Sequence, residues 1–325
     1  MSDGWRARPV VVTGGLGFIG SNLAIRLADE GARVTVVDLP DPACAGHLRN
    51  IASVADRVTL LRADLSVHGD WQRAVEQSEV VFHLAAQVSH SASMSQPALD
   101  LEQNCAALIG VLEAARLAAS PPKIVFTSTR QIYGRAASLP IRESHPLKPT
   151  DINGVHKVAA EEYLRIYREV HGVPSVTVRL ANTYGPRMDL RNPGRGVLNV
   201  FLVRALEREA ITVFGDGTQL RDVTFVDDVA DALLRAALQN DPGPFHLGAT
   251  TPTSLNQFLD ALTSMLPVEI DHQPFPPGAQ AIDIGDSHCD FARFHEATGW
   301  SPATSLQDGL RRTIEWFLSE QLTRR

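Results

Sequence analysis

Cysteine is scarce in this chain: three in 325 residues, at Cys44, Cys105 and Cys289. That number and scatter exclude a disulfide framework and any metal-ligand spacing, so each reads as a small packed residue and no metal is expected. Dense runs of Lys and Arg are missing too, and the net charge is −7, which sets nucleic acid aside as a partner. No apolar run is long enough to span a membrane. The opening residues, Met1-Ser2-Asp3-Gly4-Trp5-Arg6, lack the apolar stretch of a secretion signal. Neither an internal repeat nor a low-complexity linker interrupts the sequence. These absences describe a soluble protein of a reducing, cytoplasmic compartment. What is present is ordinary: 44% hydrophobic and 21% charged residues, enough to build a packed core. The length fits one large α/β domain or two lobes on one chain.

Short apolar runs alternate with stretches of helical spacing. Pro9 to Thr13 reads as a buried strand running into glycines. A helix over 18–30 follows, with Ile19, Leu23 and Leu27 on one face and Gly31 as its stop. Further strands are expected at 33–38, 58–62, 80–84, 124–128 and 175–180, with helices across 97–119 and 154–171. Alternation of this kind implies an α/β fold with a doubly wound parallel sheet of the Rossmann type. After Leu180 the pattern loosens. Segment 183–197, rich in Gly, Pro and Arg, reads as loop, and helices near 198–208, 228–239, 255–265 and 305–319 follow.

Gly14-x-x-Gly17-x-x-Gly20 lies between the first strand and the first helix, the context a dinucleotide loop requires. Glycines there allow a tight turn and close approach of a pyrophosphate. The first helical turn, Phe18-Ile19-Gly20, offers unpaired N–H groups and the positive end of the helix dipole. Asp38 closes the second strand about twenty residues on. Its carboxylate accepts hydrogen bonds from the adenosine ribose hydroxyls and repels a 2′-phosphate, which favours NAD over NADP. The chain then divides into an NAD-binding domain, 1–180, and a smaller C-terminal substrate-binding lobe, 181–325, with part of 223–250 returning to the first domain.

The glycine loop, the strand ending Thr127-Ser128-Thr129, and Asn153-Gly154-Val155-His156-Lys157 together resemble the extended short-chain dehydrogenase/reductases that act on nucleotide sugars. Two later segments extend the resemblance: Arg179-Leu180-Ala181-Asn182-Thr183-Tyr184-Gly185-Pro186-Arg187, and Phe214-Gly215-Asp216-Gly217-Thr218-Gln219-Leu220-Arg221-Asp222. In all it covers about residues 9–320. It implies cofactor contacts at Asp64 and Leu65 beside the adenine, at Ala85 and Ala86 along the cofactor, and at Asn104 near the active site. It implies that Thr129 hydrogen-bonds the reacting sugar oxygen and that Lys157 binds the nicotinamide ribose. Asn182, Arg187 and Arg221 are the implied contacts to a nucleotide-diphosphate sugar. The resemblance also implies a homodimer formed through the helices at 97–119 and 154–171, where apolar Leu101, Leu108 and Leu112 allow the contact.

One position departs from that family. Its members place the proton-transfer phenol in Tyr-x-x-x-Lys. Here Lys157 stands, but position 153 is Asn. An amide cannot take a proton, and oxidising a sugar hydroxyl requires something that does. Asn153 is therefore expected to order a reacting oxygen or a water. Tyr133, His156, a held water and His90 are the candidate acceptors. His156 reads as a helix-contact residue and Tyr133 as positional. His90, in the loop after Ala86 and beside the expected sugar, is preferred. The family's 4,6-dehydratases carry Asp-Glu after the Thr. Its glucuronate decarboxylases carry a Glu there and an Arg in a late loop. Here the matching residues are Arg130 and Gln131, and the loop reads Asp283-Ile284-Gly285-Asp286-Ser287-His288. The expectation is an NAD-dependent nucleotide-sugar epimerase that inverts C4 through a transient 4-keto sugar. Another nucleotide-sugar conversion (dehydratase, decarboxylase or oxidoreductase) and a non-catalytic NAD and nucleotide-sugar binder are the alternatives.

Overall fold

The computed structural model describes residues 4–39, 47–190, 196–276 and 284–322. Cys44, Asp283 and part of the expected 183–197 loop lie outside that set. Val10, Val11 and Val12 are all buried, so β1 (Pro9–Thr13) takes the centre of a sheet covered on both faces. Around it lie β2 (Arg33–Asp38), β3 (Val58–Arg62), β4 (Val80–His83), β5 (Lys123–Thr129), β6 (Ser175–Leu180) and a two-residue edge strand, Phe245–His246. The order is edge strand, β6, β5, β4, β1, β2, β3, and every pairing is parallel. This is the doubly wound α/β sheet expected from the sequence. The order reverses between β1 and β4, which opens a crevice at the carboxyl ends of those strands. Register sets Thr13 opposite both Val37 and His83, so the ends of β1, β2 and β4 share one edge.

One face of the sheet is covered by α1 (Phe18–Asp29) and the helix Val226–Ala237. Their Leu23, Leu27, Val229 and Leu233 pack with Val10, Val12 and Val36. The other face carries α2 (Trp71–Glu76), α5 (Ala107–Leu117) and α6 (Ile152–His171), with Trp71, Leu108, Leu112 and Leu164 against Val11, Val81 and Ile124. A third core includes Tyr184, Phe201, Phe225, Phe258 and Leu310, all after residue 180. Burying each such large side chain contributes roughly 1.5–3 kcal/mol. Exposed pairs such as Arg311–Glu315 contribute about 0–1 kcal/mol, so packing and not surface charge decides the fold.

Three local features differ from the sequence reading. The expected helix at 97–119 is three pieces: α4 (Pro97–Leu101), a π-helical turn at Glu102–Ala106, and α5. The stretch after β4 holds a short helix, α3 (His90–Ser95), begun by the Ser89 side chain accepting from the Ala92 N–H. Its run of small and polar residues gives no apolar period to read. Leu108 and Leu112 are 0% exposed inside the protomer, because their face of α5 packs on the sheet, so they offer no outward contact. Leu101 remains 49% exposed. Among the described residues no helix is long and apolar enough to cross a membrane.

Candidate active site

The glycine loop is shaped by two very close approaches and one less crowded position. Gly14 turns with φ +69°, and a Cβ there would lie 2.6 Å from the Ala85 nitrogen. Gly20 lets α1 press onto the loop, where a Cβ would collide with the Gly14 carbonyl. At Gly17 a Cβ meets only that carbonyl, at 3.1 Å. Gly17 is also the N-cap of α1, with no side chain bonded to the helix end. No side chain therefore competes for the first N–H groups, those of the turn holding Phe18 and Ile19. Asp38 Oδ2 accepts from the Leu16 N–H at 2.7 Å, which fastens the carboxylate to the loop. Burial raises its pKa, against the opposing N–H groups of Leu16, Leu39 and Gly17. Ala85 N–H donates to Thr13 Oγ1 at 3.3 Å, and Ala86 follows in the partly exposed segment beyond β4. Asp64 folds into an exposed turn, its Oδ1 accepting from Ser66 N–H and Oγ at 2.8 and 2.7 Å. The Leu65 side chain packs in the core beside Trp71. Asn104 Oδ1 and Ser128 Oγ are buried without a partner among the described residues. A tight glycine turn, an uncapped helix end and a carboxylate closing β2 fit a dinucleotide.

The second half of the site is built on the start of α6. Asp151 caps this helix, Oδ1 accepting from the Gly154 N–H at 2.7 Å. One turn on, Lys157 is buried. Its Nζ donates to the Thr127 carbonyl at 3.2 Å and sits 4.8 Å from the Phe126 ring centre. Burial pulls its pKa down to about 8, although Asp100, Cys105 and Glu161 act the other way. Thr129 ends β5 and caps a 3₁₀ turn, Oγ1 accepting from the Gln131 N–H at 3.2 Å, which leaves its hydroxyl hydrogen for a ligand oxygen. Asn153 is buried, and its Nδ2 donates to the Gln87 carbonyl at 2.8 Å and to Asp100 Oδ1 at 3.3 Å. Both amide hydrogens are thus committed to the protein, and the amide oxygen remains as an acceptor.

His90 faces the same helix end. Its Nδ1 lies 2.8 Å from Asp151 Oδ2 and 3.5 Å from the Gln131 side-chain nitrogen, and the ring is 36% exposed. Burial alone would raise the Asp151 pKa. The bonds from His90 and the Gly154 N–H outweigh it and hold the carboxyl below its ordinary value. The other candidate acceptors are occupied. Tyr133 is buried with its hydroxyl 2.6 Å from His246 Nε2 and bonded by Arg179, and burial pushes the phenol up. His156 Nδ1 lies 2.6 Å from the fully buried Asp100, a contact between helices.

The profile of the NAD dependent epimerase/dehydratase family matches residues 10–248. The chain belongs to this family. A UDP-glucose 4-epimerase of Mycolicibacterium smegmatis is 34% identical over 313 residues, covering 94% of this chain and 97% of that protein. UDP-glucuronic acid decarboxylase 1 of Danio rerio is 29% identical over 316 residues, covering 96% of this chain and 73% of that protein. The solved structure of Thermus thermophilus UDP-glucose 4-epimerase in complex with NAD is similar with a TM-score of 0.82 at 31% identity, covering 95% of this chain and 98% of that one. Family membership makes NAD the cofactor and places this protein among enzymes that epimerise, dehydrate or decarboxylate nucleotide sugars.

In this epimerase/dehydratase, Asn182 stands beside the reaction end, its Oδ1 accepting from Arg130 at 3.0 Å. Arg221 is nearly buried on the short strand Leu220–Arg221 and donates to the Leu220 and Gly285 carbonyls at 2.8 and 2.7 Å. Arg187 is placed elsewhere, under the cofactor loop. It donates to Asn22 Oδ1 at 2.8 Å and the Asn50 carbonyl at 3.0 Å, and lies 5.7 Å from the Trp316 ring centre. Asn50 in turn donates to the Leu16 carbonyl at 2.8 Å. Sequence reasoning missed Asp151, Asp100 and Ser93. Asp151 was readable as an N-cap two residues before Asn153. The bond to the Gln87 carbonyl had no signal, because any residue supplies a carbonyl.

Proposed function

We propose that this enzyme is a nucleotide-sugar 4-epimerase acting on a UDP-sugar. The observation that carries the reading is the 129–131 corner. Thr129 presents a free hydroxyl hydrogen within the same site as buried Lys157. The two residues that follow are Arg130 and Gln131, neither of which supplies the acid that dehydration requires. NAD, when bound, supplies a hydride acceptor and donor for the sugar carbon. Gly14, Gly17, Phe18, Ile19 and Gly20 hold its pyrophosphate, Asp38 its adenosine ribose, and Lys157 its nicotinamide ribose. Thr129 donates to the reacting O4 and fixes it against the strand end. Asn182 and Arg221 bind the nucleotide diphosphate, so the sugar ring turns while its anchor stays. We also place the boundary between the lobes near residue 180, with the helix Val226–Ala237 and the edge strand packed on the first lobe.

A homodimer is part of the proposal. Leu101, Val155, Ile166 and Val170 are 49%, 47%, 41% and 69% exposed on α4 and α6. Light scattering that shows a monomer would overturn that part.

The test of the reaction is a panel of UDP-, dTDP-, GDP- and CDP-sugars incubated in D2O and followed by NMR. A C4 epimer free of deuterium is expected, because the hydride leaves and returns without meeting solvent. Deuterium in the product, or loss of water or carbon dioxide, would replace epimerisation with another of the family's reactions.

A further inference from the structure

A hydroxyl that becomes a ketone must release its proton, and position 153 holds no phenol to take it. The described residues offer few alternatives. Tyr133 is closed in by His246 and Arg179. His83 is fully buried, bonded to Thr13 Oγ1 at 2.9 Å, and held neutral by burial, which lowers its pKa to about 3. His156 is turned onto Asp100. His90 differs from all three. It stands past the carboxyl end of β4, its ring is 36% exposed, and a carboxylate orients it.

We propose that His90 accepts and returns the substrate proton, with Asp151 as its positioning residue. Asn153, the residue standing where the phenol belongs, clamps the segment that carries His90. The proposal rests on the epimerase reading above.

Four contacts carry it. Asp151 accepts only, so Nδ1 of His90 is the donor, and in the neutral ring Nε2 is then the acceptor. Gln131, whose side chain also bonds Asp151, lies 3.5 Å from Nδ1 and adds no charge. Asn153 reaches the segment at its two ends. Its side chain donates to the Gln87 carbonyl, and its backbone N–H donates to Ser93 Oγ at 3.2 Å. Ser93 Oγ donates onward to the His90 carbonyl at 2.8 Å. One turn of α6 thus holds the segment at Gln87, His90 and Ser93. Where the family places an acid–base group, Asn153 instead fastens the segment that carries His90.

The step balances. The O4–H bond breaks and its proton passes to Nε2 of neutral His90. The C4–H bond breaks, its hydride goes to the nicotinamide, and C4=O forms. On return, the hydride adds to the other face of C4 and the imidazolium gives the proton back to O4.

The test uses the NAD-containing protein and three variants. His90→Gln keeps a donor for Asp151 but takes no proton. Its kcat is expected to fall by about 10²–10⁴-fold, while UDP-sugar affinity by calorimetry changes by less than about threefold. Asp151→Asn keeps a capping side chain and loses the ionised acceptor, so its kcat is expected between those of wild type and His90→Gln. Asn153→Ala is expected to lower kcat by about tenfold, the effect of one lost buried bond, again with affinity nearly unchanged. Nitrogen-15 NMR of the wild-type imidazole is expected to show the proton on Nδ1, a preference that Asp151→Asn erases. A kcat for His90→Gln within about threefold of wild type, or a wild-type proton on Nε2, overturns the proposal and leaves the epimerase reading standing. A wild-type protein that epimerises no sugar of the panel overturns both.

Discussion

Two helices begin at the carboxyl edge of the sheet, and their N-termini are finished in opposite ways. α1 ends on Gly17 with no capping side chain. α6 ends on Asp151, whose one oxygen caps the helix and whose other holds His90. The same physical need, unpaired N–H groups at a helix start, is left open in one place and met by a carboxylate in the other. In the proposed function the open end is kept for the pyrophosphate of NAD. The closed end serves a side chain that must be aimed before any substrate arrives. An uncapped terminus is therefore the mark of binding here, and a capped one the mark of orientation.

The comparison is broken most severely at α1. Gly20→Ala drives a Cβ into the Gly14 carbonyl. We expect a loss of about 1–3 kcal/mol or more in stability, seen as a lower Tm, together with absence of copurified NAD. Gly17→Ala sharpens the point, because its Cβ meets only one atom at 3.1 Å. Its Tm is expected to hold while NAD affinity falls by about tenfold; a matching fall in Tm would show that Gly17 serves the fold instead.

At α6, Asp151→Ala removes the cap and is expected to cost about 1 kcal/mol of stability. Asp151→Ser is expected to restore the Tm without restoring turnover. Recovery of both would mean that Asp151 is a cap and nothing more.

Lys157 gives a pH signature. Its folded pKa of about 8 lies below the ordinary 10.5, so between those values the unfolded chain binds more protons than the folded one. Stability of the NAD-free protein is expected to rise across that window relative to Lys157→Met. NAD affinity is expected to fall as pH passes about 8 and the ammonium is lost. A profile identical in Lys157→Met would assign the change elsewhere.

The smallest effect is expected at the second Asp–His pair. His156 is turned onto buried Asp100, so His156→Gln is expected to keep kcat within about threefold of wild type. A loss as large as that of His90→Gln would move the proton path to α4 and α6.

Much of the frame was legible because it is local. The limits of β2 and β3 fall where the apolar runs begin and end. The glycine loop and Asp38 carry their signal in spacing, and Thr129 and Lys157 in the family resemblance. What the sequence hid is long-range. Spacing did not show that the Asn153 amide hydrogens go to a backbone carbonyl 66 residues away and to Asp100. Leu108 and Leu112 looked available for a partner until the sheet claimed that face. The π-helical turn at Glu102–Ala106 interrupts a helix whose composition shows no break.

Arg187 has a last consequence. One guanidinium touches α1 through Asn22, the Asn50 turn that steadies Leu16, and Trp316 in the final helix. The first helix and the last therefore meet at a single cation, far apart in sequence and joined in space. If NAD binds at the first helix, occupancy there and order in the last are expected to be linked. NAD should shield the last helix from proteases, and trimming that helix should loosen the grip on NAD by the same factor.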